Sequence, residues 1–361
     1  MNNDMKNGGA GNRMVSPTVP GILLLLFAIA AALCFITGLW LFGIILMTMA
    51  SAMLAIIICM GASTVSCIVC PLSVVLSSGI LTVSGKGVES VIAFCTFIAV
   101  GGILAVCIIN KSGRTAAVVA MSAAAGLMLF ISVAVLYFRA GGELSADGII
   151  AFFNSKADAV RTPLLKYTES LSERLLALGY QVETDALKEY VNTVISSMIS
   201  LLPGLIIAAL EITCWITTCF AKLFARKTHC EVILPSPRWE LYPSMVTVII
   251  YAASCAIFAV CYIIALFSSS GSVVGIVMYN LILVTAPVFI AIGFSSAFGA
   301  KNPKMQNRKG MSAFIFVMLV LLAPQLALTL LSIIGAVSVF VRRKAESADK
   351  DDDSSDRPGM M

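Results

Sequence analysis

From Met14 to Gly85 the chain runs for 72 residues without one Asp, Glu, Lys, Arg or His. The hydrocarbon core of a bilayer is about 30 Å thick, and about 20 apolar helical residues cross it. The run is therefore long enough for three consecutive spans, which turn residues divide into 20–39, 41–60 and 63–84. A soluble domain cannot leave such a stretch uncharged, so the protein is expected in a membrane.

The rest of the chain follows the same pattern. Hydrophobic residues make up 59% of the sequence and charged residues 12%, against about 25% charged residues in ordinary globular domains. Further apolar blocks predict spans at 88–110, 115–138, 196–220, 244–267 and 272–298. In lipid a spanning segment must satisfy its own backbone hydrogen bonds, which favours helices. The sequence thus predicts an all-α, polytopic transmembrane helical bundle of nine or ten apolar segments.

The predicted number of spans depends on the last apolar block, 310–341, whose 32 residues are slightly short for two full spans. Pro324 lies near its middle, and a proline removes a backbone donor and kinks a helix. We expect two short, tilted or re-entrant halves that meet there and return the C-terminus to the cytoplasm. A single span would instead leave the basic residues 342–344 outside.

Basic loops set the predicted orientation, because cytoplasmic loops carry an excess of Lys and Arg. The chain is divided into a disordered cytoplasmic N-tail (1–19), a five-span half (20–138), an extracytoplasmic polar insert (139–195), a C-terminal membrane half (196–341) and a disordered acidic C-tail (342–361). The expected location is the bacterial cytoplasmic membrane, with the N-terminus inside. The net charge of +5 is confined to loops, so it reports topology and predicts no nucleic-acid partner. The bilayer is the expected partner, and membrane or cytoplasmic protein partners stay open.

The polar insert carries six basic and eight acidic residues. Thr162-Pro163 predicts the start of one amphipathic helix, which Gly179 ends, since proline is favoured at the first helical position. A second helix is predicted from Thr184-Asp185 into the sixth span. This helix pair either lies on the membrane surface and caps the bundle, or forms a lid over a cavity between the spans.

Glu211 is the single charged residue near the middle of a predicted span, the sixth. A carboxylate there is costly and should face the bundle interior or water. We interpret it as a proton- or cation-coupling site or a ligand contact, with Thr213 and Thr217 beside it on the helix and Asn280 and Gln325 as further polar positions. The alternative is a neutral carboxyl that hydrogen-bonds another helix.

Motifs for catalysis or metal binding are absent from the sequence. Cys67 and Cys70 have redox or metal spacing, but no second pair or neighbouring histidine completes a zinc site. His229 is the only histidine of the chain, which excludes His-rich zinc motifs. The eleven cysteines lie mostly in apolar segments and are read as small packing residues. We therefore predict no enzymatic activity, no cofactor and no metal.

The central part of the chain has a distinctive order of features. After the amphipathic pair, Leu201–Gly204 opens a span, Lys222–Lys227 forms a basic exit, and a proline-bracketed loop follows at Leu234–Pro243. The most distinctive residues of this loop are Pro237, Arg238, Trp239 and Pro243. Over roughly residues 20–344 the chain resembles the YybS-like family of multi-pass bacterial membrane proteins. The family's last helix tends to end in an acidic-aromatic-basic cluster, which residues 339–342 lack.

The resemblance implies a multi-pass membrane protein without an established biochemical activity. The N-terminal half is similar in style to the substrate-binding membrane subunits of energy-coupling-factor vitamin transporters, which is a fold-level analogy. Two function hypotheses follow: a transport-related or small-molecule-binding membrane subunit, or a membrane scaffold that binds protein partners without transport.

Overall fold

The computed structural model describes residues 18–355 except 62, 84, 86, 144, 181–182, 229–233, 236–239, 268–272 and 299–322. The described residues form helices and their connections and contain no strand, which confirms the all-α class. The helices are α1 (Thr18–Ile36), α2 (Trp40–Cys59), α3 (Ser63–Val83), α4 (Gly87–Ile109), α5 (Arg114–Arg139), α6 (Ala146–Ala177), α7 (Thr184–Lys227), α8 (Met245–Phe267), α9 (Val273–Phe298) and α10 (Pro324–Ser355).

Seven of these helices are long and apolar enough to cross a bilayer: α1, α2, α5, α7, α8, α9 and α10. Shorter apolar stretches, 68–83 and 94–109, lie in α3 and α4. The described helices confirm the polytopic helical bundle, and eight predicted spans coincide with a helix or lie inside one. Residues 310–322 lie outside the described residues, so the hairpin predicted at Pro324 stays a prediction.

Contacts divide the chain into two compact units, and the three boundaries fall inside α5, inside α7 and just before α8. The first unit contains the chain up to Leu129 and Leu210–Tyr242. The second unit contains Phe130–Ala209 and the chain from Pro243 onward. Each unit is described separately below.

In the first unit, small residues let α2 and α4 pack closely. A Cβ atom built on Gly101 would lie 2.7 Å from the carbonyl oxygen of Ser51. The Ser51 hydroxyl donates across the same contact to the carbonyl of Phe97 at 3.1 Å. In lipid, helix association depends on such close packing and interhelical hydrogen bonds rather than on hydrophobic burial. The core around this contact contains Leu24, Ala28, Met53, Leu54, Phe94 and Phe97.

In the second unit, α9 and α10 approach each other until their backbones touch. A Cβ atom on Gly293 would lie 1.9 Å from the carbonyl oxygen of Leu331, and one on Gly335 would lie 1.9 Å from that of Phe289. Real Cβ atoms essentially never come closer than 3.0 Å to another heavy atom, so both positions require glycine. The hydroxyls of Ser296 and Ser338 lie 2.9 Å apart across the same pair. The buried Tyr251 hydroxyl of α8 reaches the Ser332 hydroxyl of α10 at 2.5 Å.

The first helix of the polar insert starts earlier than the sequence predicted. α6 begins at Ala146, and Ser145 caps it by accepting a hydrogen bond from the Gly148 amide at 3.0 Å. Pro163 lies inside the helix, so the predicted start at Thr162-Pro163 is wrong. A helix nucleated upstream adds one hydrogen bond for each further residue. α6 therefore continues through Pro163 and lacks one backbone N–H donor at that position.

The predicted end of this helix at Gly179 is confirmed. Gly179 has φ +86°, a left-handed conformation that glycine adopts without a steric penalty. The Tyr180 amide donates to the Leu175 carbonyl and the Gly179 amide to the Leu176 carbonyl, both at 3.0 Å. These two bonds form a Schellman motif, which satisfies carbonyls at the helix end.

α7 begins at Thr184, as predicted, and continues for 44 residues. At 1.5 Å per residue it is about 66 Å long, which is about twice the thickness of the hydrocarbon core. Its first turns are polar, and Lys188 forms an ion pair with Glu169 of α6 at 2.7 Å. The Lys188 ammonium, which donates a hydrogen bond to Glu169, lowers the pKa of that carboxyl. The ion pair thus links the helix pair of the polar insert.

The C-tail differs from the prediction of disorder from residue 342 onward. α10 continues through residue 342 to Ser355, because elongation of an existing helix costs far less than nucleation. Near the start of this extension, Arg343 Nη2 donates to the carbonyl of Pro243 at 3.2 Å. Residues 1–17, which contain most of the predicted N-tail, and residues 356–361 lie outside the described residues.

Candidate functional site

A cleft of about 810 Å³ lies in the second unit between the first turns of α7, the end of α8 and the start of α9. It extends along α7 from Glu189 to Leu201. Twelve residues of α-helix span about 18 Å, so the cleft is long enough for a drug-sized molecule. The site is built from three helices of one unit, and two of its walls differ in chemistry.

The α7 wall is a stripe of small polar side chains. Because 3.6 residues make one helical turn, residues three and four apart share a face, and the stripe follows this spacing: Glu189, Asn192, Thr193, Ser196, Ser197 and Ser200. Its hydroxyls donate to carbonyls of their own helix: Thr193 to Glu189 at 2.9 Å, Ser197 to Thr193 at 2.8 Å, and Ser200 to Ser196 at 3.0 Å. The wall is therefore polar, but these three hydroxyls already donate their hydrogens within α7.

The opposite wall is aromatic. Phe258 and Tyr262 lie one turn apart on α8, and Tyr279 lies on α9. The Phe258 ring centroid is 5.0 Å from that of Tyr279 and 6.4 Å from that of Tyr262. Tyr262 is 58% exposed, whereas Phe258 and Tyr279 are half-buried, so this wall is accessible in part.

Asn280, one of the predicted site residues, joins α9 to α7 beside the inner end of the cleft. Its Oδ1 accepts from the Gly204 amide at 2.8 Å, and its Nδ2 donates to the carbonyls of Ser200 at 3.1 Å and Ile276 at 3.0 Å. The Gly204 amide and the Ser200 carbonyl are donor and acceptor of one helical i→i−4 pair. The Asn280 amide thus inserts into the hydrogen-bond ladder of α7 immediately after Pro203, where the helix lacks a donor.

Gly204 allows this contact because it has no side chain. A Cβ atom there would lie 2.5 Å from Asn280 Oδ1 and 3.1 Å from Asn280 Cα. The structure therefore gives Asn280 a helix-joining role next to the cleft. Gln325, another predicted site residue, is the second residue of α10, and its side chain lies outside the described residues.

Thr213 and Thr217 lie in the first unit, where they line a cavity of about 160 Å³ with Thr48, Ser51 and Thr96. The Thr217 hydroxyl donates to the Thr213 carbonyl at 2.9 Å. These two predicted residues thus line one small cavity, whose surface is almost entirely apolar.

Glu211 is half-buried on α7 in the first unit and is not among the described lining residues of that cavity. Its Oε2 is buried and accepts no hydrogen bond from the described residues. The indole Nε1 of Trp215, one turn along α7, is also buried and has no acceptor among them. An acceptor and a donor without partners therefore occupy adjacent turns of one helix face.

Of the loop residues that carried the resemblance, Pro243 is described and is buried. Pro237, Arg238 and Trp239 lie outside the described residues, as does His229. Cys70 packs against the core of the first unit, and the side chain of Cys67 is not described.

Sequence reasoning missed the cleft. Glu189 was read as part of the amphipathic helix pair, which was expected to cap the bundle at the membrane surface or to form a lid over a cavity, and Phe258, Tyr262 and Tyr279 were not distinguished within their apolar spans. The one available signal was the polar stripe that begins at Asn192, because its helical spacing continues into the predicted sixth span. Serine and threonine are common in membrane helices, so this signal is weak.

No curated protein and no solved structure matches the chain at a significant level. A family described as "Predicted membrane protein (DUF2232)" matches residues 28–337. The match includes nearly all of the described apolar helices and the whole polar insert. The chain therefore belongs to this family of predicted membrane proteins, a family of unknown function.

Proposed function

We propose that this protein is a small-molecule-binding, transport-related subunit of a bacterial cytoplasmic membrane and that its ligand binds in the cleft between α7, α8 and α9. The observation that carries the proposal is the cleft itself. Its volume, about 810 Å³, falls within the range of about 300–1,000 Å³ that is typical of ligand sites. Its lining combines rings with a few polar groups, which is the usual composition of such sites. The YybS-like resemblance is compatible with this role but specifies no activity, and no enzymatic step is proposed.

The position of the cleft along the helices supports an opening on the extracytoplasmic side. The cleft includes Glu189 near the start of α7, whereas Arg226 and Lys227 lie in the last turn of the same helix. Cytoplasmic ends of membrane helices are enriched in Lys and Arg. With the N-terminus in the cytoplasm, the ligand would therefore enter from outside the cell.

Glu211 is proposed as an ion-coupling residue of the same protein. Its buried, unpartnered oxygen supports this role, because an ionisable group inside a membrane helix is a functional candidate by default. The Trp215 indole N–H, one turn away, can donate a hydrogen bond to a water molecule bound at this position. The variant Glu211→Gln keeps the size of the side chain and removes its ability to ionise.

The proposal is tested by native mass spectrometry of the purified protein with a metabolite library. Ser197→Trp places a large side chain in the cleft, and Met198→Trp is the matched control, because Met198 is exposed on the same helix and does not line the cleft. We expect ligand binding to be lost in Ser197→Trp and kept in Met198→Trp. Equal binding by both variants would refute the cleft as the site.

The same preparation addresses the scaffold alternative. A protein that co-purifies in fixed ratio, together with the absence of any bound metabolite, would favour a scaffold over a binding subunit. Glu211→Gln is examined in parallel, and unchanged ion dependence of ligand binding would refute its coupling role. Cysteine labelling tests the orientation: a cysteine at Glu143 should react from outside, and one at Lys304 only after permeabilisation.

A further inference from the structure

We propose that the cleft between α7, α8 and α9 selects an organic ammonium ion, that is, a protonated amine attached to an apolar or aromatic body. This inference rests on the proposed function and names the chemical class of its ligand. Three properties of the cleft carry it: the sign of its charge, the hydrogen-bonding sense of one wall, and the aromatic rings of the other.

The charge of the cleft is negative. Glu189 is its one Asp, Glu, Lys or Arg residue among the described lining residues. The neighbouring cation, Lys188, pairs with Glu169 at 2.7 Å, and neither ion pair in the described part of the chain includes Glu189. Glu183 and Asp185 add further negative charge just before it on the chain. An anionic ligand would therefore meet repulsion without a cation to balance it.

The α7 wall presents hydrogen-bond acceptors. A hydroxyl group has one donor hydrogen and two acceptor lone pairs. The hydroxyls of Thr193, Ser197 and Ser200 donate their hydrogens to carbonyls of α7. The lone pairs of these oxygens remain able to accept hydrogen bonds from a ligand. At these three side chains a ligand finds acceptors, which suit the N–H bonds of an ammonium group, whereas Asn192 on the same wall offers both donor and acceptor atoms. A carboxylate or phosphate brings acceptors alone and finds no donor at these three hydroxyls.

The aromatic wall suits both parts of such a ligand. The faces of Phe258, Tyr262 and Tyr279 carry negative partial charge and attract a cation that lies above them within about 6 Å. The same rings bury an apolar or aromatic body. Tyr279 lies deeper along α7 than Glu189, since it directly precedes Asn280, which bonds α7 at Ser200 and Gly204. We infer that the body of the ligand packs among the rings and that its amine is directed along the acceptor wall toward Glu189.

The test compares three indole probes of similar shape and different charge: tryptamine, tryptophol and indole-3-acetate. Binding to the purified full-length protein in phosphatidylglycerol nanodiscs is measured by microscale thermophoresis. We expect tryptamine to bind at least about tenfold more tightly than the neutral or the anionic probe, because a hydrogen-bonded charge pair contributes about that much. Glu189→Gln should reduce tryptamine affinity about tenfold. The matched control Glu173→Gln removes an exposed carboxylate that does not line the cleft and should change little.

Other outcomes separate this inference from the proposed function. Equal or tighter binding of tryptophol or indole-3-acetate, blocked by Ser197→Trp, would overturn the ammonium class and leave the cleft as a ligand site. No binding of any probe would also overturn the ammonium class, whereas the metabolite screen with Ser197→Trp decides the proposed function independently.

The amine could belong to a soluble compound or to a lipid headgroup, and the nanodisc composition distinguishes these sources. If the lipid amine occupies the cleft, replacing part of the phosphatidylglycerol by phosphatidylethanolamine should weaken tryptamine binding more than replacing the same fraction by an uncharged glycolipid, which lowers the anionic surface charge equally. Equal tryptamine binding in the two mixtures would assign the site to a soluble amine. Both results support the ammonium class.

Discussion

The close contact between α9 and α10 gives the sharpest prediction about stability. Gly335→Ala adds one methyl group at a point where it would lie 1.9 Å from the carbonyl oxygen of Phe289. To reach 3.0 Å, the limit that real Cβ atoms essentially never pass, the two helices must separate locally by about 1 Å. Both partners are backbone, so no side chain can rotate away to relieve the clash.

The expected cost follows from two opposing effects. Overpacking destabilises a protein by about 1–3 kcal/mol, and a backbone clash belongs at the upper end of this range. Replacing glycine by alanine in a helix stabilises the folded protein by about 1 kcal/mol, because alanine has the higher helix propensity. We therefore expect Gly335→Ala to lower the free energy of unfolding by about 2 kcal/mol.

The measurement is an SDS titration of the protein in mixed micelles, followed by circular dichroism. Gly102→Ala is the control, since a Cβ atom on this helical glycine would have no neighbour within 4 Å. The control should be neutral or up to about 1 kcal/mol more stable. The double variant Gly293→Ala with Gly335→Ala should cost less than the sum of the single changes, because one separation of the helices relieves both clashes. If Gly335→Ala were as stable as Gly102→Ala, the inferred backbone contact would be wrong.

Three further predictions concern the polar insert and α7. Pro163→Ala should stabilise α6 by up to about 3 kcal/mol, because it restores a donor inside an exposed helix, and slower amide exchange of α6 would show it. Asn280→Ala should lower the free energy of unfolding by about 1–2 kcal/mol by removing three hydrogen bonds, measured in the same SDS titration, and no change would contradict its helix-joining role. Since Lys188 lowers the pKa of Glu169, their ion pair contributes above the unfolded pKa of Glu169. That contribution should be lost as the pH falls from the unfolded pKa of Glu169 through its lowered folded pKa, seen as reduced amide-exchange protection of α6 that Glu169→Gln no longer shows.

The sequence predicted the spans well because charge and turn chemistry are local signals. Gly38 and Gly61, which divide the first uncharged run, have φ +79° and +69°, conformations that only glycine adopts easily. Lipid exposure requires uncharged helices of a certain length, and that requirement is visible residue by residue. The predicted boundaries of the spans from α1 to α5 therefore lie within three residues of the helices.

The buried faces of these helices were harder to predict. On α5 the four-residue spacing of Ala116, Ala120 and Ala124 is typical of a packing face, yet Ala116 is exposed and Ala117 and Met121 are fully buried. In a soluble helix the polar side identifies the solvent face. In a membrane helix lipid and protein are equally apolar, so the pattern does not tell one face from the other.

The sequence predicted individual candidate residues but none of the residues that line the cleft. Glu211 stood out because one charge in an apolar helix is a strong local signal. The cleft depends instead on how the start of α7 meets α8 and α9, which residues far apart in sequence determine. Phe258 and Tyr279 are separated by 21 positions in the chain. No pattern in the sequence indicates that their rings are in contact. Tertiary packing, rather than any motif, creates the second wall.

The hydrogen bonds that the α7 hydroxyls donate within their own helix also affect how water is oriented in the cleft. Water molecules next to Thr193, Ser197 and Ser200 must point a hydrogen toward the wall, because these side chains offer lone pairs. Such a layer has one preferred orientation, and a ligand that displaces it must replace each donated hydrogen bond or lose affinity. The α7 wall would thereby discriminate between ligands through the solvent they remove as well as through the contacts they make.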